Sequence, residues 1–174
     1  MSLLTQFKQV KCFAFDVDGV LTDGSLILMD DGQMLRSMNT KDGYALQLAV
    51  KKGYHIVIIS GGNGAEGAKL RLQKLGITAI YFGVHNKKEL LNTYIKDNGI
   101  SIEEVLFMGD DIPDYEALKA AGLGCCPADA VAEIKSISKY IASLPGGRGC
   151  AREVIEKVLK LNDHWHVDTS IASK

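Results

Sequence analysis

Short apolar runs alternate with longer stretches of mixed polarity along this chain, and each run ends in charge, hydroxyl or glycine. The first is Lys11-Cys12-Phe13-Ala14-Phe15, followed at once by Asp16-Val17-Asp18-Gly19-Val20. Brief apolar runs closed by polar positions predict the buried strands of a parallel sheet. Residues 12–16 read as one strand, and 54–59, 79–82 and 105–108 as three more. Weaker candidates lie at 123–125 and 140–141. Residues about 42–52, 64–75, 86–98, 113–121, 129–136 and 150–161 carry helical patterns. This βαβα order predicts an α/β, Rossmann-like parallel sheet with helices on both faces. No repeat, low-complexity stretch or linker interrupts it, so residues 1–174 are expected to form one domain.

One segment breaks the alternation. Two strand-like runs, Ser25 to Met29 and Gln33 to Met38, flank Asp30-Asp31-Gly32, and Asp-Gly between such runs signals a hairpin. The hairpin, about residues 25–38, leaves the sheet just after the Asp16/Asp18 loop and is expected to form a flap over it. Its first strand is apolar on both faces, which a small projecting hairpin cannot bury alone. A contact with another subunit is the favoured reading over local packing.

Composition narrows the field. At 174 residues the chain suits one domain with a sizeable core. Its formal net charge of −1 provides no basic field for nucleic acid. No apolar run reaches membrane-span length, and no signal pattern opens the chain. Cys12, Cys125, Cys126 and Cys150 form no C-x-x-C pair, so buried free thiols in a reducing cytoplasm are expected.

Ligands of open α/β sheets bind outside the carboxyl ends of the strands. There Asp16 and Asp18 are presented together, and they repel unless a cation or proton relieves them. Ser60-Gly61-Gly62-Asn63 ends the second strand with a hydroxyl and exposed N–H groups suited to a phosphate oxygen. Lys87, at a predicted helix start, opposes the helix dipole and needs an anionic partner. Gly109-Asp110-Asp111-Ile112-Pro113-Asp114 closes a further apolar strand, and its three carboxylates suggest a Mg²⁺ site.

Asp16-x-Asp18-Gly19-Val20, then Ser60, Lys87 and Gly109-Asp110-Asp111-x-x-Asp114, resembles the haloacid dehalogenase superfamily in order and spacing. The resemblance implies Asp16 as nucleophile and Mg²⁺ ligand, and Asp18 as acid/base with its backbone carbonyl on the metal. It implies phosphate contacts at Ser60 and Lys87, and a metal carboxylate at Asp110. Asp111 is expected to orient Lys87 or a metal-bound water, with Asp114 as a supporting group. Asp18 to Gly24, Asn39-Thr40-Lys41-Asp42-Gly43-Tyr44 and Gly146-Gly147-Arg148-Gly149 are similar to the small capless branch of octulosonate 8-phosphate phosphatases. That branch implies lipopolysaccharide biosynthesis, a cytoplasmic location and a homotetramer joined by flap hairpins. It also implies substrate contacts at Asn39, Thr40, Lys41, Asp42, Gly43, Ser60, Gly61, Gly62, Asn63, Arg71 and Lys87. An Arg at position 71 suits a sugar-acid carboxylate, which it can grip with two N–H groups. Arg148 is expected to reach a site, its own or a neighbour's.

Some positions depart from that branch. Gly62 stands where a charged residue is common, Lys41 where Arg is common, and the 60–75 stretch runs about one residue long. These touch substrate recognition, so nine-carbon keto-deoxy sugar acid 9-phosphates remain an alternative. A receiver-like signalling domain is the reading from another class. It is disfavoured because the nucleophile candidate ends the first strand and the Asp pair comes late. A non-catalytic module is disfavoured by intact Asp16, Asp18, Lys87 and Asp110. His164-Trp165-His166 is expected to belong to a disordered or loosely docked tail, about 162–174.

Overall fold

The computed structural model describes residues 1–63 and 66–172. In chain order the strands are β1 (Cys12–Phe15), β2 (Ile27–Leu28), β3 (Met34–Leu35), β4 (His55–Ile59), β5 (Ala79–Tyr81), β6 (Val105–Met108), β7 (Leu123–Cys126) and β8 (Tyr140–Ile141). The helices are α1 (Leu3–Gln9), α2 (Thr40–Lys51), α3 (Glu66–Lys74), α4 (Lys87–Asp97), α5 (Tyr115–Ala120), α6 (Ala132–Ile137) and α7 (Cys150–Leu161). Six strands form one sheet in the order β5-β4-β1-β6-β7-β8, every pairing parallel. The expected helix over 64–75 is seen from Glu66, and its first two residues lie outside the described ones.

Side-chain alternation divides the core. Phe13 and Phe15 of β1 point to a layer containing Phe7, Leu46, Leu72, Val154, Ile155 and Val158, so α1, α2, α3 and α7 cover that face. Cys12 and Ala14 point the other way, toward Leu91, Ile95, Leu118 and Ile134 of α4, α5 and α6. Covered on both faces, the strands need apolar residues at every position, which is why they read as continuous runs. β1 lies between β4 and β6, where chain progression reverses direction across the sheet. Doubly wound sheets open their binding crevice at such a point.

The pattern gave no sign of α1. Ser2 caps it by accepting from Thr5 N at 3.2 Å, and Phe7 anchors it edge-on to Tyr140, ring centroids 5.2 Å apart. One buried residue in seven gives no helical period to detect. The predicted 113–121 helix begins as a 3₁₀ turn at Ile112–Asp114 before α5. The hairpin exists, but its paired strands are two residues each, and Ile27 and Leu28 are 64% and 73% exposed. All four cysteines are buried free thiols.

The described part of the C-terminal tail, to residue 172, is docked rather than disordered. Trp165 meets Tyr44 edge-on at 6.0 Å, and the Arg152 guanidinium lies 5.3 Å from the Trp165 ring centre. His164 Nδ1 pairs with Tyr54 Oη at 2.9 Å, and Lys51 Nζ donates to Asp168 at 2.6 Å. The Gly146–Gly149 segment packs directly on the turn that follows β1. Gly147 N donates to Val20 O at 2.9 Å, and a Cβ on Gly146 would lie 2.0 Å from Gly19 O. Only glycine lets these two backbones touch.

Asp42, expected at the substrate, is 2% exposed and instead caps α7, accepting from Arg152 N at 2.7 Å. Burial pushes its carboxyl up to about 6, against the pull of backbone donors at Arg152 and Gly149. Asp42→Ala should therefore lower stability by about 1–2 kcal/mol, the usual cost of a lost cap. Thermal melting checks this, and Asp42→Asn, which keeps an acceptor, should lose less.

Candidate active site

The carboxyl ends of β1, β4 and β6 meet over one small volume. Asp16 follows β1 directly, and its N–H donates to Met108 O at 3.1 Å, so the sheet fixes where its carboxylate starts. The chain then makes a tight turn through Val17–Leu21. Gly19 carries this turn at φ +88°, and a Cβ there would sit 2.0 Å from Asp110 Oδ2. Left-handed backbone and close approach thus both demand glycine. Buried Thr22 knots the turn by donating to Asp18 Oδ1 at 3.3 Å and accepting from Gly24 N at 3.2 Å.

Lys87 opens α4 and is 4% exposed. Its Nζ lies 3.0 Å from Asp16 Oδ1 as an ion pair and donates to Asp114 Oδ1 at 2.6 Å. The missing anion at this helix start is therefore a pair of carboxylates. Burial works against the ammonium, but Asp16 and Asp114 outweigh it and raise the Lys87 pKa. Asp114 Oδ2 accepts from Asp110 N at 3.0 Å and Asp111 N at 3.3 Å. So Asp114, not Asp111, orients Lys87. The exposed Asp111 carboxylate turns back to accept from its own neighbour, Ile112 N, at 2.8 Å.

Asp16, Asp110 and Asp114 bring one oxygen each within 4.8 Å of one another. Asp114 is already taken by Lys87 and the loop amides. Asp110 Oδ1 is buried with no hydrogen-bond partner, and Asp16 Oδ1 is buried facing Lys87 Nζ. Burial, then repulsion from Asp114, raises the Asp16 pKa to about 7, against the pull of Lys87. Burial, then Asp114, Asp16 and Asp111, raises Asp110 to about 7. Buried, mutually repelling hard oxygen donors with one ammonium between them suit a divalent cation such as Mg²⁺.

Ser60 follows β4, is 2% exposed, and its Oγ accepts from Gly62 N at 3.3 Å. Gly62 packs against Asp18, where a Cβ would lie 3.2 Å from Oδ2. Asn63 is exposed, its amide lying over Gly83. Beside this group lies a cavity of about 550 Å³, lined by Met34, Arg36, Met38, Thr40, Glu66 and Arg71. Gly43 lies against Arg71, where a Cβ would be 3.0 Å from Nη2. Asn39 caps α2, accepting from Lys41 N at 2.9 Å, and its amide donates to Gly147 O at 3.4 Å. Lys41 is exposed, and Arg148 pairs with Asp23 at 3.6 Å, its side chain 67% exposed.

Arg36 is the site residue that sequence reasoning missed. It comes from the flap, just past β3, and grips Asp18 with two N–H groups: Nε to Oδ1 at 2.8 Å and Nη2 to Oδ2 at 3.1 Å. Its signal was weak, because an Arg in a hairpin strand resembles any solvent-facing charge.

Asp16 and Asp110 titrate above the ordinary carboxylate value, so the metal-free fold holds protons that the unfolded chain releases. That stability is present at acid pH and lost as pH rises through about 7. The melting temperature without metal should thus fall between about pH 4 and pH 7 and level off above that. Mg²⁺ should restore it most at the upper end, where no proton competes. Melting curves across this range with and without Mg²⁺ check both. A Mg²⁺ effect independent of pH would contradict them.

Residues 73–152 match the family model described as haloacid dehalogenase-like hydrolase. The chain is 31% identical over 157 residues to 3-deoxy-D-manno-octulosonate 8-phosphate phosphatase of Salmonella typhi, covering 90% of this chain and 83% of the relative. The crystal structure of the Moraxella catarrhalis enzyme of that name, in complex with magnesium ion, phosphate ion and KDO, superposes with a TM-score of 0.89. It is 33% identical and covers 92% of each chain. The cobalt-bound Haemophilus influenzae enzyme gives a TM-score of 0.86 at 28% identity, covering 91% of this chain and 92% of that one. By sequence and by fold, then, the chain belongs to the haloacid dehalogenase-like hydrolases, within the family of the 3-deoxy-D-manno-octulosonate 8-phosphate phosphatases.

Proposed function

We propose that the protein is a Mg²⁺-dependent phosphatase that hydrolyses 3-deoxy-D-manno-octulosonate 8-phosphate to the free sugar acid and phosphate, a step of lipopolysaccharide biosynthesis. The observation carrying this reading is the buried cluster of Asp16, Asp110 and Asp114 carboxylates around the single ammonium of Lys87. In this reading Asp16, Asp110 and the Asp18 carbonyl hold the cation. Bound there, Mg²⁺ offsets carboxylate charge so that an anionic phosphate can approach an anionic nucleophile.

An Asp16 oxygen attacks phosphorus, and the bond from phosphorus to the sugar oxygen breaks. Asp18 gives its proton to that leaving oxygen. Asp18 then takes a proton from water as the water attacks the aspartyl phosphate, and the bond from phosphorus to Asp16 breaks. Lys87 and Ser60 bear part of the charge on the transferring group. The cavity walled by Arg36, the partner of Asp18, is of a size to take the sugar, and Arg71 on its wall suits the carboxylate. Sugar phosphates do not cross membranes unaided, which fits a cytoplasmic enzyme. Among the described residues no helix is long and apolar enough to cross a membrane.

Asp16→Asn should remove turnover, because an amide is a poor nucleophile and a weaker metal ligand. Asp18→Asn should lose about 10²-fold or more, with leaving-group protonation gone. Phosphate release from eight- and nine-carbon sugar acid phosphates measures both and ranks the two substrates. Substantial turnover by a folded Asp16→Asn protein, or full activity after exhaustive chelation, would refute this reading.

The exposed flap completes the proposal. We propose a homotetramer joined through the residue 25–38 hairpins, which would cover Leu26, Ile27, Leu28 and Met29. Glutamates at Ile27 and Met34 together should split the assembly and lower activity. Light scattering of the unmodified protein checks the state, and a fully active monomer at micromolar concentration would end this part of the proposal.

A further inference from the structure

We infer that Arg36 is a positioning residue, through which the flap sets the carboxylate of Asp18 for proton transfer. The inference rests on the phosphatase reading and adds a residue to it. Arg36 is the only residue of the described hairpin that forms an ion pair with the Asp16/Asp18 loop. Its side chain is 5% exposed, although it sits on a hairpin whose neighbouring side chains are open to solvent. Three donor contacts explain this. Nε and Nη2 take the two oxygens of Asp18, and Nη1 donates to Met34 O at 3.2 Å, tying the guanidinium to its own strand.

Several features indicate that this grip orients Asp18 rather than hides it. The Asp18 side chain remains 29% exposed with the fork in place, so a leaving oxygen can still approach it. A planar fork on a carboxylate fixes both its direction and its rotation, which a Lys point charge does not. The opposite side is held by Gly62, where a Cβ would lie 3.4 Å from Arg36 Nη2 and 3.2 Å from Asp18 Oδ2. The absence of a side chain at Gly62 leaves the room that the guanidinium fills. The Ser60–Gly62 loop, the Asp18 turn and the flap thus meet at one ion pair.

The test separates positioning from other roles by changing how much the leaving group needs a proton. Alkyl phosphates need it, and p-nitrophenyl phosphate does not. Arg36→Met should lower kcat/KM for the phosphate ester of an uncharged sugar, such as a hexose 6-phosphate, by about tenfold or more. For p-nitrophenyl phosphate the loss should stay within about threefold, and Arg36→Lys should fall between. Gly62→Ala, which crowds the same fork from the far side, should show the same bias more weakly. Equal losses on both substrates, or none, would overturn the inference. So would a rise in KM at unchanged kcat, which marks a direct substrate contact, or a rise in kcat, which marks a latch. Failure of the wild-type protein to hydrolyse any phosphate ester would overturn the phosphatase reading, and this inference with it.

Discussion

A buried ammonium between two buried carboxylates sets the terms for everything around it. Lys87 is 4% exposed and touches Asp16 and Asp114, which are themselves 7% and 1% exposed. Removing three charges from water is costly unless they compensate one another. One cation facing Asp16, Asp110 and Asp114 leaves the cluster short of positive charge. Burial first, and repulsion among the carboxylates after it, raise the pKa values of Asp16 and Asp110. A divalent cation beside them relieves the shortage, and a phosphate can enter once it is relieved. Charge imbalance in the resting protein and charge balance in the reaction are thus one feature seen twice.

The scaffold makes this cluster possible by bringing backbones unusually close. Asp110 can lie over the Asp18 turn because Gly19 has no side chain, and Gly146 presses on the carbonyl of the same Gly19. Asp114 holds the third loop by accepting from Asp110 N and Asp111 N while it anchors Lys87. α7 is tied in from below by Asp42 and the tail by Trp165, neither of which need touch substrate. The chemistry rests on two strand-end loops locked together, and the flap adds Arg36 from outside.

Much of this was legible in the sequence, for a physical reason. Strands buried on both faces must be apolar throughout, so β1, β4 and β6 stand out as runs and their ends mark the site. Asp16, Asp18, Ser60 and Asp110 lie within three residues of those ends, so local reading places them together, and Lys87 joins them from the start of α4. What local reading did not place depends on contacts distant in sequence. Asp42 lies in a motif that suggested substrate, yet its partner is Arg152, 110 positions away. Asp111 and Asp114 differ only by which way a short 3₁₀ turn points them. Arg36 acquires its role across 18 positions from Asp18. α1 is held by one buried side chain, Phe7, and the tail by scattered contacts of His164, Trp165 and Asp168, which leave no periodicity to read.

The central claim is that Asp16, relieved of charge repulsion, becomes covalently bonded to phosphorus during turnover. Acid quenching of the working enzyme, followed by borohydride reduction and peptide mass spectrometry, tests this directly. An acyl phosphate is reduced to an alcohol, so the account predicts homoserine at position 16 and at no other carboxylate, and only in samples given Mg²⁺ and substrate. Steady turnover with Asp16 unmodified, or reduction mapping to Asp18, Asp110 or Asp114, would contradict it.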